Sequence, residues 1–158
     1  MATHLERMIA LADEVFDARQ DPDQLQVDDQ VLARLEAIHP SCVSEYVDGD
    51  GPVAWILMLP TTGSLMQKFL LGELSENQLY LTTPVTGPYD ALYLCSALVL
   101  PEYRRQGIAR RLAMEAAGRL IADHPIRDLF VWTFSEEGAA ASRALADAFR
   151  LPLHFRTV

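Results

Sequence analysis

The chain has no apolar run long enough to cross a bilayer. Its longest uninterrupted apolar stretches, such as Val53 to Leu59, fall well short of the ~20 residues that a spanning helix needs. The first residues carry Glu6, Asp13 and Glu14 among the apolar ones, and so lack the basic start and apolar middle of a secretory leader. Cysteine is scarce: Cys42 and Cys95 are the two, and they belong neither to a CxxC pair nor to a metal cluster. With no leader and no disulfide framework, the expected compartment is the reducing cytoplasm. His4, His39, His124 and His154 lie too far apart in sequence to make a local ligand set, so no metal is expected. Basic residues are outnumbered, 13 Lys and Arg against 22 Asp and Glu, for a net charge of −9. That balance argues against nucleic acid as a partner, because phosphates need clustered positive charge. It favours a cationic partner such as an amine through electrostatic steering. No Gly-Lys-Ser/Thr is present where a phosphate loop would need it. The second and third glycines of a dinucleotide-binding G-x-G-x-x-G are missing too.

What is there suffices for one domain over residues 1–158. Half of the residues are hydrophobic, enough for a buried core at this length. Leu5, Met8, Ile9, Ala12, Val15 and Phe16 recur at three- and four-residue spacing and predict a helix over Thr3 to Arg19, broken by Asp21-Pro22-Asp23. A second helix is expected from Asp28 to Ile38, stopped by His39-Pro40. Cys42 to Val47 and Val53 to Leu59 flank Asp48-Gly-Asp-Gly-Pro52, which reads as a hairpin. A short helix is expected near Leu65 to Leu74. Further on, a strand beginning at Leu92 leads to a helix over Gly107 to Asp123, a strand over Leu129 to Phe134, a helix over Glu136 to Phe149 and a strand over Leu153 to Val158. The passage from Leu92 through Phe134 is strand–helix–strand, which implies two parallel neighbours joined by a right-handed crossover.

Chemistry concentrates in Val99-Leu-Pro-Glu-Tyr-Arg-Arg-Gln-Gly-Ile-Ala109. An apolar strand ends at Pro101, a basic loop with one glycine follows, and an amphipathic helix begins. Such a loop turns backbone N–H groups toward one point at the positive end of a helix dipole, which is what a pyrophosphate needs. Gly107 has no Cβ and lets the backbone approach a phosphate, and Ala109 keeps the first helical turn slim. Arg104, Arg105, Arg110 and Arg111 put positive charge where the dipole alone favours acidic side chains. Solubilising charge is the plain alternative for at least two of them.

This segment resembles motif A of the GNAT acyltransferase superfamily, Arg/Gln-x-x-Gly-x-Gly/Ala after a strand and a V-x-P-E-Y-R turn. Arg104, Gly107 and Ala109 stand at the defining positions, and Val99, Pro101, Glu102 and Tyr103 match the lead-in. The resemblance covers roughly Val53 to Val158. It implies an α/β fold with a mixed central sheet, helices on both faces, and two splayed parallel strands at a cofactor cleft. The family's usual first strand is missing, and residues 60–88 look like an insertion that either covers the acceptor side of the cleft or serves as a packing element or homodimer contact. The implied co-substrate is acetyl-coenzyme A. Its pyrophosphate would lie on Arg104, Arg105, Gln106, Gly107, Ile108 and Ala109, with its pantetheine arm and thioester along the backbone of Leu98, Val99 and Leu100.

The resemblance is weakest at the acid and the base. Many members carry a glutamate five residues before the proline, where this chain has Ser96, and many use a late tyrosine, whereas no tyrosine follows Tyr103. Ser96 as a water holder, with Ser135 and Glu136 after the second splayed strand, are the candidate catalytic residues. Ser135 and Glu136 equally suit the capped start of a helix. Cys95 reads as core rather than as an acyl-carrying nucleophile, and Tyr93 and Tyr103 as packing residues. Two functions follow from the resemblance: an N-acetyltransferase acting on a small-molecule or peptide amine by direct attack without metal, or a catalytically silent sensor or scaffold that binds acyl-coenzyme A.

Overall fold

Strand-forming runs of alternating and continuous apolar residues meet in one five-stranded sheet. A computed structural model of the chain describes residues 1–19, 28–133 and 135–157. The strands are β1 (Val43–Asp48), β2 (Gly51–Thr61), β3 (Ala91–Val99), β4 (Asp128–Val131) and β5 (Leu153–Phe155), in spatial order β1-β2-β3-β4-β5. The first three pair antiparallel, and β3, β4 and β5 pair parallel. The helices are α1 (His4–Arg19), α2 (Asp29–Ile38), α3 (Gly63–Leu70), α4 (Glu76–Thr82), α5 (Ile108–Asp123) and α6 (Glu136–Phe149). The mixed α/β fold expected from the sequence is therefore present. The proposed break at Asp21-Pro22-Asp23 lies outside the described residues, as do Phe134 and Val158.

Local chemistry explains the boundaries. Asp28 caps α2 by accepting from the Val31 N–H at 2.9 Å, and Pro40 follows its end. The hairpin turn needs Gly49, which sits at φ +65, a conformation open to glycine at little cost. Cys42 falls in a 3-10 turn over Pro40–Cys42, so β1 starts one residue later than its apolar pattern suggests.

The short helix expected near Leu65 to Leu74 is α3, and a second helix that was not expected, α4, follows it. Gly72 turns left-handed at φ +79 after α3. Ser75 then starts α4 through a reciprocal capping box with Gln78, satisfying two N–H groups that a continuing helix would have used. Both helices are built into the core: Met66, Phe69, Leu79 and Tyr80 are buried. Arg34 of α2 grips the end of the segment, donating to the Tyr80 and Thr83 carbonyls at 2.6 Å each.

Alternation along β2 sets the two faces of the sheet. Val53 and Trp55 share one face, where Met8 of α1 packs with Leu98 and Leu100. Leu59 continues that face, and its cross-strand neighbour Tyr93 meets the Phe69 ring of α3 edge-on at 5.0 Å. α1 and α3 thus cover one side. On the other lie α5 and α6, carried there together by two successive crossovers of the same hand. A Cβ on Gly118 of α5 would stand 3.7 Å from the Phe149 ring of α6, which shows how close the two helices are.

Candidate active site

A bulge creates the site. Leu57 of β2 faces Ser96, but its neighbour Met58 faces Leu94, so Cys95 is one residue too many. An extra residue bends a strand and increases its twist. On its other edge β3 pairs with β4 only from Ala91 to Leu94. From the bulge onward the two parallel strands part, and β4 ends at Val131 rather than at the expected Phe134. Between them opens a cavity of about 310 Å³. Ser96 and Ala97 form its β3 wall, Ala109 and Ala113 its α5 wall, and Gly138 and Ala141 its α6 wall. Small side chains on both helices leave the room.

Backbone polarity along β3 follows from one bond. The Leu100 N–H donates to the Val53 carbonyl at 2.9 Å. Antiparallel ladders alternate, so Leu98 and Leu100 turn their N–H and C=O groups toward β2. Val99 and Ala97 turn theirs toward the side that β4 has left. Of the three strand residues expected to offer backbone groups to a ligand, only Val99 is placed to do so. Ala97, which sequence reasoning missed, is the second. The missed signal is the ladder phase, which no sequence pattern reveals.

The loop after β3 begins with a 3-10 turn over Pro101–Tyr103. Two left-handed residues follow, Arg105 at φ 64 and Gly107 at φ 78. A non-glycine residue held there stores on the order of 1–3 kcal/mol of strain. Gly107 is the N-cap of α5 and offers no side chain to it. The first intrahelical bond runs from the Arg111 N–H to the Gly107 carbonyl at 3.0 Å, so the N–H groups of Ile108, Ala109 and Arg110 have no intrahelical acceptor. A Cβ on Gly107 would meet nothing within 4 Å. The loop therefore combines open space at the Gly107 Cβ position with N–H groups that have no intrahelical acceptor at the positive end of a helix.

The arginines divide their work. Arg104 Nε donates to the Val99 carbonyl at 3.0 Å, and the Arg111 guanidinium stands 5.3 Å over the Tyr46 ring. Arg110 borders the cavity, and Arg105 is exposed. Gln106 donates to the Glu102 carbonyl at 2.9 Å. Ile108 is buried in the core, where it anchors the helix start.

Ser96 and Ser135 border the same cavity, and Glu136 does not. Glu136 is exposed in the first turn of α6, where its charge suits the helix dipole. Ser135 caps α6, its Oγ accepting from the Gly138 N–H at 3.0 Å. Cys42 is fully buried, and burial pushes its thiol up to about 12. Cys95 lines the cavity at the bulge. Among the described wall residues there is no carboxylate, imidazole or phenol.

Sequence reasoning also missed Glu76. It is buried in the first turn of α4, and the Tyr93 hydroxyl donates to its Oε2 at 2.5 Å. It borders a small void, about 10 Å³, that shares Leu57, Met58 and Cys95 with the main cavity. The Ser75–Gln78 capping pattern was the available signal for where that helix starts, but nothing in it marks the glutamate as buried. None of residues 60–88 lines the main cavity.

Among the described residues, no three His, Cys, Asp or Glu side chains converge on a point that would hold a metal ion, and no described helix is long and apolar enough to cross a membrane. No curated protein matches the chain. A solved structure that resembles it is Chaetomium thermophilum Naa20 in complex with a bisubstrate analogue, with a TM-score of 0.53 and 20% sequence identity. The match takes in 88% of this chain and 64% of that one. At that identity the likeness speaks to the fold. Residues 7–146 match the model of the acetyltransferase (GNAT) family, with the bulged strand, the parted edge and the uncapped α5 inside the matched span; the chain belongs to the GNAT acetyltransferase family.

Proposed function

We propose that the protein is an N-acetyltransferase that moves the acetyl group of acetyl-coenzyme A to an amine. The observation that carries this reading is the cavity between β3 and β4, open beside the unpaired N–H groups at the start of α5. Ile108, Ala109 and Arg110 would donate to the pyrophosphate, with Arg105 supplying charge and Gly107 allowing close approach. The co-substrate supplies an activated acyl carbon as a thioester. Val99 and Ala97 hold its arm by strand-like bonds, and their N–H groups face the oxygen that gathers negative charge during attack. Ser96 would orient a water that takes the proton of the attacking amine toward bulk solvent; as the C–N bond forms the C–S bond breaks, and the coenzyme A thiolate that leaves takes a proton from solvent. The small side chains of α5 and α6 exclude other water from the arm. The chain's net charge of −9 favours an amine that arrives as a cation.

A second reading, an acyl-coenzyme A sensor or scaffold without turnover, is favoured by one observation: among the described residues the cavity wall holds no carboxylate, imidazole or phenol to act as a general acid or base. One experiment separates the two. Acetyl-coenzyme A at ~100 times its dissociation constant should stabilise the fold by about 2.7 kcal/mol, read as a rise in melting temperature. An amine panel is then followed for released thiol. A shift with thiol release supports the enzyme, a shift without release for any amine supports the sensor, and no shift at millimolar co-substrate sinks both.

The enzyme reading carries a kinetic expectation. A side chain acting directly as general acid or base contributes ~100- to 10,000-fold. With water as the relay, Ser96→Ala, Ser135→Ala and Glu136→Ala should each cost less than the lower end of that range. Ser135→Ala should also lose about 1 kcal/mol of stability as a helix cap, so melting temperature is measured beside turnover. A loss on the order of 10,000-fold from any one of them, with binding retained, would name a base and refute the relay.

A further inference from the structure

The turn that feeds the phosphate loop is held from outside the loop. Glu102, in the middle of that turn, receives two parallel bonds from Arg7 of α1, at 2.7 Å from each terminal nitrogen. Its backbone carbonyl accepts the Gln106 amide at 2.9 Å, so a single residue ties α1 on one side to the loop on the other. Tyr103, next in sequence, donates its hydroxyl to Asp48, the last residue of β1 before the β1–β2 turn, at 2.7 Å. That same turn holds the start of α1, through the His4 N–H on Asp50 at 3.0 Å. Met8, beside Arg7, is fully buried against Leu100, the residue just before the turn. Packing thus sets the register of α1, and Arg7 reaches Glu102 as a consequence.

We infer that Arg7 is a positioning residue for the cofactor loop, holding the Glu102 carboxylate away from Arg104 and Arg105 so that these remain available to an anionic ligand. The inference rests on the loop being a pyrophosphate site. Glu102 is the sole acidic residue between Leu100 and Arg111. It is ionised near neutral pH with or without Arg7, and the Arg7 hydrogen bonds hold its carboxyl down to about 2. Released from Arg7, that carboxylate would repel a phosphate and compete with it for the neighbouring guanidinium groups. The pair itself is open to solvent, with side chains 36% and 50% exposed. Exposed pairs contribute little to stability in most cases, and a bidentate fork lies at the upper end of that small range. The loss of Arg7 should therefore appear mainly in ligand affinity and only slightly in melting temperature.

The test uses the full chain, coenzyme A as the probe, and S-acetylpantetheine as a phosphate-free control. Arg7→Ala should weaken coenzyme A binding about tenfold, the middle of the range for residues that act through a neighbour, while the melting temperature stays near that of the wild type. Affinity for S-acetylpantetheine should not change. Adding Glu102→Gln to Arg7→Ala removes the competing charge and should recover most of the lost affinity. Wild-type binding of coenzyme A with no change in Arg7→Ala overturns the inference and leaves the cofactor reading intact. An affinity loss that follows an equal fall in melting temperature, and that the double variant does not recover, marks a purely structural pair and also overturns it. Failure of the wild type to bind coenzyme A at all removes the cofactor reading first, and the inference with it. Should Arg7→Ala fold poorly, Arg7→Lys keeps the charge but loses the fork. It should then fall between the wild type and the Arg7→Ala expectation in affinity, and unchanged affinity in that variant overturns the inference.

Discussion

Gly107→Val will show no rise in melting temperature at acetyl-coenzyme A concentrations that saturate the wild type. Two effects combine. At φ 78 a β-branched residue is an outlier, and the strain costs on the order of 1–3 kcal/mol. The Cβ itself meets nothing within 4 Å, so the ligand-free fold has room for the side chain and keeps its circular dichroism spectrum. On the proposed reading the phosphates approach the Gly107 backbone closely, and the added methyl groups would take up that room. Gly107→Ala, with one carbon added, should bind with intermediate affinity. Undiminished binding by the valine variant, measured by calorimetry, would place the coenzyme elsewhere on the molecule.

Phe69→Ala should cost about 3–5 kcal/mol of stability, the usual price of deleting a buried aromatic, measured by urea denaturation. Phe69 is fully buried. It meets the rings of Tyr93, Phe130 and Trp132 edge-on at 5.0, 5.8 and 6.1 Å, and the Arg156 guanidinium lies 4.5 Å over its face. Its removal leaves a cavity among β3, β4 and α3 that large rigid rings fill poorly. The prediction matters because Phe69 belongs to the segment 60–88 that resembles an insertion. A removable lid would tolerate the change with a loss below about 1 kcal/mol, within the scatter of surface substitutions. Leu71, two residues on and 67% exposed, supplies the contrast: Leu71→Ala should fall within about 0.5 kcal/mol of the wild type.

Much of the candidate site was legible because it is local. Gly107, the arginines around it, Pro101 and the small Ala109 are neighbours in sequence, and their roles depend on dihedrals and on a helix start that begins within the same dozen residues. The capping role of Ser135 was legible for the same reason, since an N-cap reaches only two or three residues ahead. The split of residues 63–82 into two helices was encoded just as locally, in Gly72 and in the Ser75–Gln78 pair, although apolar spacing alone runs through both.

The sequence by itself determined the order and type of most elements, the parallel strand–helix–strand unit and the glycine-bearing basic loop at a helix start, because each follows from contacts within one or two helical turns or from the period of apolar residues. Only the tertiary structure decided which backbone groups of β3 face the cavity, since the bulge at Cys95 and the phase of the ladder depend on β2, nearly forty residues away in the chain. It also decided that Glu136 stands outside the cavity while Ser96 and Ser135 border it, that Glu76 is buried beneath Tyr93, and that Arg7 meets Glu102 across 95 residues. Such pairings carry no local signature: they are fixed by where the core places whole helices, and a charge on the surface of one element is matched to its partner only after both have packed.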